Sequence, residues 1–76
     1  MAIAFLLISS ETGVESQLLK ELREINGVSE VHVVYGVYDL IAKVEADSMD
    51  DLKLAITKRI RSLDHVHATL TLLVAD

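Results

Sequence analysis

Apolar residues recur along this chain in two rhythms, one of period two and one near 3.6, and their order sets out the fold. Ala2 to Ser9 is a nearly unbroken apolar run of strand character. Thr12-Gly13-Val14-Glu15 follows with the spacing of a capping box, in which a hydroxyl and a carboxylate three residues on satisfy free amides at a helix start. Val14, Leu18, Leu22 and Ile25 then recur at helical spacing with Leu19 beside them, and Asn26-Gly27 is a stop. Together they predict a helix over about 13–25.

Val28 to Tyr35 and Tyr38 to Ala46 alternate and are rich in valine, which predicts two strands joined as a hairpin through Gly36. Asp47-Ser48 with Asp50-Asp51 opens a second helix whose apolar side is Met49, Leu52, Ile56, Ile60 and Leu63, with Ala55 between. Acids crowd its first turn, and Lys58, Arg59 and Arg61 sit toward its end, as the helix dipole favours. The last strand is predicted from Val66 to Ala75. "INGVSEVHVV" and "LDHVHATLTL" both leave a helix by a short turn into valine and then alternate, so the two halves echo each other. The expectation is a single α+β domain over residues 1–76, ferredoxin-like βαββαβ, with a four-stranded antiparallel sheet and both helices on one face.

That arrangement leaves the second sheet face to water, and strand parity shows what it carries. Val31, Val33 and Tyr35, then Leu40, Ala42 and Val44, then Leu70, Leu72 and Val74 are assigned to the helices. His32 and Val34, then Asp39, Ile41 and Lys43, then His67, Thr69, Thr71 and Leu73 are assigned to the open face. The first strand is apolar on both parities, with Ile3, Phe5 and Leu7 set against Ala2, Ala4, Leu6 and Ile8. One of those sets needs a cover that the single chain does not supply. A dimer through the open faces is expected, of dimeric α+β barrel type, with Ile3, Phe5, Leu7, His32, Val34, Ile41 and Leu73 in its interface.

Composition sharpens this reading. Seventy-six residues are near the lower limit for a self-sufficient core, and there is no cysteine to staple one, so oligomerisation is the expected support. The net charge of −5 and a single basic cluster at Lys58-Arg59-Arg61 argue against direct contact with nucleic acid. The longest apolar run, Ala2 to Ile8, falls far short of the roughly 20 residues that cross a bilayer, so no membrane partner is expected. A cytoplasmic location is the corresponding expectation.

Chemistry-bearing residues are few. "VVYGVYDLIAKV" places two tyrosines and one carboxylate at a turn where Asn-Gly or Asp-Gly would suffice. Asp39 reads as a turn carboxylate bonding backbone amides or as a ligand acceptor. His32, His65 and His67 lack an evident further partner of fixed geometry, so no metal is expected. There is no Gly-rich phosphate loop, cysteine nucleophile or Gly-x-Ser-x-Gly elbow, and no cofactor or enzymatic activity is expected.

Gly13, "NGV", "VVYGVYDLIAKV", "LDHV" and Thr69-x-Thr71 together resemble the effector-binding domain of Lrp/AsnC-type transcription regulators over essentially the whole chain. Gly36-x-x-Asp39 with the downstream threonines carries most of that likeness. The resemblance implies dimers that assemble into a higher oligomer and bind a free amino acid in clefts between dimers. It implies a ligand site at Tyr35, Gly36, Val37, Tyr38 and Asp39, with Thr69 and Thr71 either lining the cleft or lying in the dimer interface. Tyr38 is favoured for the cleft and Tyr35 for packing. Met1 leads straight into the first strand, so the resemblance is to the stand-alone form lacking a helix-turn-helix domain, and co-assembly with full-length regulators is the implied partnership. His65 stands where relatives commonly have glycine, and because histidine tolerates a left-handed backbone better than most residues, the turn is expected to survive there. The alternatives are a small enzyme on the paired-sheet scaffold and a ligand-free assembly subunit.

Overall fold

The computed structural model describes residues 1–75. Strand β1 (Ala2–Ser10) is followed by α1 (Glu15–Arg23), β2 (Val28–Val33), β3 (Leu40–Ala46), α2 (Met49–Leu54, continued by a π-helical turn over Ala55–Ile60) and β4 (Val66–Leu73). The sheet order is β2-β3-β1-β4 and every pairing is antiparallel, which is the predicted ferredoxin-like topology. β1 is central, and its even residues Ala4, Leu6 and Ile8 are fully buried against the helices. Opposite them in the ladder stand Val44, Ala42 and Leu40, also fully buried. Leu18 and Leu22 from α1 and Leu52, Ile56 and Ile60 from α2 close this core. Each such leucine or isoleucine contributes about 1.5–3 kcal/mol by leaving water.

The helix starts differ. Ser48 caps α2, its Oγ accepting the Asp51 amide at 3.1 Å. At α1 only half of the predicted box forms: Glu15 Oε1 accepts the Gly13 amide at 3.3 Å, while the N-cap position belongs to Val14 and no side chain caps it. The π-helical turn is visible in the bond from the Arg61 amide to the Ile56 carbonyl, five residues back. Core residues spaced by four, as Leu52, Ile56 and Ile60 are, over-rotate an α-helix by roughly 40° per step at 3.6 residues per turn. A wider turn offsets that drift and keeps Ile60 in the core.

The hairpin is looser than predicted. β2 ends at Val33 and β3 begins at Leu40, and the loop over 34–39 is closed by the Val34 amide on the Asp39 carbonyl at 2.8 Å. Gly36 holds φ +148°, a conformation other residues rarely adopt. Gly27 is fixed by two constraints at once, φ +105° and a Cβ position only 3.2 Å from the Glu45 carbonyl oxygen. The turn at His65 survives, and because no non-glycine residue among those described has positive φ, it is made without a left-handed backbone.

Removing a real cap should cost more than removing an apparent one. Ser48→Ala is expected to lose about 1 kcal/mol, lowering the thermal midpoint by roughly 4–8 °C in a chain of this length. Thr12→Ala should leave it unchanged within error, and calorimetry of the two variants side by side checks the contrast.

Candidate functional site

The open sheet face is built in two rows. His32, Ile41, Leu7 and Leu70 lie side by side across the four strands, and Glu30, Lys43, Phe5 and Leu72 form the next row. Toward β2 the face is polar: Glu30 sits 3.4 Å from the His32 ring and 3.9 Å from Lys43 Nζ. Toward β4 it is apolar, with Leu70 45% and Leu72 50% exposed. Ile3, Phe5, Leu7, His32 and Ile41 therefore occupy the open face as expected, while Val34 falls in the loop beyond β2.

The expected parity of β4 is overturned. Thr69, Thr71 and Leu73 stand opposite Ile8, Leu6 and Ala4, all of which face the helices. Thr69 Oγ1 accepts a hydrogen bond from Arg61 Nε at 3.1 Å, from the helical side. Thr71 Oγ1 is buried without a partner. Leu73 is thus on the wrong face for the expected interface, and Leu70 and Leu72 take the open face. Apolar alternation assigned the leucines to the core, but in the ladder they flank Leu7 and Phe5, whose half-buried apolar row they extend. A one-residue shift in parity moves every side chain of a strand to the other face.

The loop residues separate into two groups. Tyr35 is fully exposed, so the packing role expected of it is not met within the chain, and Val37 is 89% exposed. Tyr38 and Asp39 are half-buried. Asp39 joins two strands at the end of β1: its amide donates to the Ile8 carbonyl at 2.9 Å, and its Oδ2 accepts the Ser10 amide at 2.9 Å. Among the described residues Oδ1 has no protein partner, and the amides of Gly36, Val37 and Tyr38 reach no protein acceptor. The loop thus offers one anionic acceptor and several free donors within a few residues. Thr69 and Thr71, with hydroxyls on the helical side, are not brought to that surface of the chain.

The histidines do not converge. His32 lies on one edge strand, and His67 lies on the other, with His65 just before it. Among the described residues no group of three or more His, Cys, Asp or Glu could hold a metal ion. A polar cleft of about 320 Å³ between Gly27, Glu45, Asp47, Asp51 and Arg59 lies at the opposite end of β3 from the loop. Among the described residues no helix is long and apolar enough to cross a membrane.

Comparison with known proteins agrees with this architecture. The model of the family described as the Lrp/AsnC ligand binding domain matches residues 3–76. An uncharacterised HTH-type transcriptional regulator of Pyrococcus abyssi is 30% identical over 76 residues, covering 96% of this chain and 51% of that protein. The chain spans about half the length of the curated relatives it matches. The crystal structure of FFRP-DM1 is 39% identical with a TM-score of 0.94, covering 99% of this chain and 100% of that one. Escherichia coli AsnC is 25% identical, with a TM-score of 0.91 over 99% of this chain and 51% of that one. A transcriptional regulator of Neisseria meningitidis, solved as an L-Met complex, shares the fold at 14% identity and a TM-score of 0.87, over 99% of this chain and 50% of that one.

The two threonines give a test of the corrected parity. Thr71→Val replaces an unpartnered buried hydroxyl with a methyl group and should raise stability by about 1 kcal/mol. Thr69→Val removes the acceptor of Arg61 and should not stabilise. Urea titration of both variants checks the difference; equal stabilisation would count against the assigned faces.

Proposed function

Because the chain belongs to the Lrp/AsnC ligand-binding domain family, we propose that it is a non-enzymatic sensor of a free amino acid, assembled through its open sheet face and completed at the loop over 34–39 by a neighbouring dimer. The observation that carries this reading is the loop itself. Asp39 Oδ1 is free to accept an ammonium group, and the unengaged amides of Gly36, Val37 and Tyr38 are free to donate to a carboxylate. An α-amino acid carries both groups on adjacent atoms. The exposed Tyr35 and Val37 supply apolar surface that a neighbouring dimer would cover, enclosing the ligand between copies.

The wider role follows by linkage. A ligand held between copies favours the arrangement that holds it, to the extent that its affinity differs between arrangements. Relatives named as HTH-type transcriptional regulators support a role in transcriptional control, exerted by co-assembly with full-length members of the family. The methionine bound by the Neisseria regulator supports an amino acid as the ligand class, by analogy of fold alone.

Thermal unfolding with each free amino acid at about 10 mM tests the reading. A ligand at 100 times its dissociation constant adds roughly 2.7 kcal/mol per site, which moves the midpoint by about 10 °C or more. Asp39→Asn keeps an acceptor for the Ser10 amide but removes the charge; it is expected to fold normally and lose the shift. No shift from any amino acid, with the oligomer intact, would leave a ligand-free assembly subunit.

A further inference from the structure

We infer that Glu11, His65 and His67 form a proton-operated clasp on the backbone that positions Asp39, making the loop site sensitive to protonation of the two rings. The regulatory half of this inference rests on the proposed role of Asp39 in ligand binding; the clasp itself does not.

The Glu11 carboxylate lies between two imidazoles. Its Oε2 is 3.4 Å from His65 Nδ1 and its Oε1 is 3.9 Å from His67 Nε2. The Glu11 amide also donates to the His65 carbonyl at 3.3 Å, so the segment leaving β1 is tied to the segment entering β4 by main chain and side chains together. One residue upstream, the Ser10 amide donates to Asp39 Oδ2. The β1–β4 register shifts between Ser9 and Ser10, with Ser10 opposite Val66, so the ladder is irregular just where this stretch leaves β1. Ser10-Glu11 is therefore a joint, with Asp39 on one side and the two histidines on the other.

With neutral rings the 3.4 Å contact is at most an ordinary hydrogen bond, and 3.9 Å is too long to be one. Protonation makes both rings cations against one carboxylate, and both contacts become ion pairs. The other charged groups nearby do not supply that role. Glu21 of α1 and Asp64 line a cleft with His65, but neither carboxylate lies within ion-pair distance of its ring. Arg61 is engaged with Thr69, and among the described residues Glu11 has no ion-pair partner besides the two histidines. The clasp is therefore closed when both rings carry a proton and opens when they lose it. His67 and Glu11 are more than half exposed, so solvent screening keeps the effect to roughly two- to fivefold.

The test reads the joint directly. Hydrogen exchange of the Ser10 amide is followed in isotopically labelled full-length chain at pH 5.5 and 7.5, corrected for intrinsic exchange and normalised to an amide within the β1–β3 ladder. Protection of Ser10 should be roughly two- to fivefold higher at pH 5.5, and Glu11→Gln and, separately, His67→Asn should flatten the difference. Affinity for the stabilising amino acid should follow the same pH dependence in the wild type and lose it in Glu11→Gln. A flat Ser10 profile in the wild type, or an unchanged one in Glu11→Gln, overturns the clasp whatever the ligand does. A pH-dependent profile with pH-independent affinity overturns the regulation. Absence of ligand binding at both pH values, with the Ser10 profile as expected, instead sinks the ligand reading.

Discussion

Everything in this fold depends on β1 being apolar on both faces. A central strand with Ala4, Leu6 and Ile8 on one side and Ile3, Phe5 and Leu7 on the other must be covered twice, and the two helices cover it once. The covered half organises the chain, because every other strand takes its register from β1 or from β3 paired to it. The uncovered half is the surface through which the proposed assembly would form. Leu70 and Leu72 extend the apolar row toward β4, while Glu30, His32 and Lys43 give the β2 side a polar margin. An apolar centre beside a polar edge is how specific protein interfaces are generally laid out.

The same strand sets the position of the candidate site. Its C-terminal end carries the carbonyl of Ile8 and the amide of Ser10, and Asp39 is bonded to both. A residue anchored by its own amide and by one of its carboxylate oxygens is aimed without needing a pocket around it. That fits a loop which is surface in one chain and becomes enclosed only against another, as the proposed assembly requires.

Much of this was legible in the sequence, and the misses have physical causes. Element order, helical faces and the parity of β2 and β3 could be read because their apolar periodicity had one interpretation, while β1, apolar on both parities, showed only that one of its faces needed a further cover. β4 had two. His67, Thr69 and Thr71 alternate with Ala68, Leu70 and Leu72, and the leucines fit either a core or an exposed apolar face. What decided it was the pairing to β1, a long-range fact that local alternation does not contain. Arg61 meeting Thr69 is the signal that could have helped, since a cation at a helix end can satisfy an inward hydroxyl. Thr12 failed for a related reason: it was judged by residue preference, and backbone geometry took another course. The loop over 34–39 was noticed from its composition alone, but its free donors and the unpartnered Asp39 oxygen belong to three dimensions.

In the proposed assembly the open face of β1 is covered by a second copy of the chain. Sedimentation equilibrium at micromolar concentration, on wild-type protein without ligand, tests it most directly. The account predicts a mass of at least two chains, because the apolar row of Ile41, Leu7, Leu70, Phe5 and Leu72 favours burial at about 25 cal/mol per Å². A stable, soluble species with the mass of one chain would contradict it.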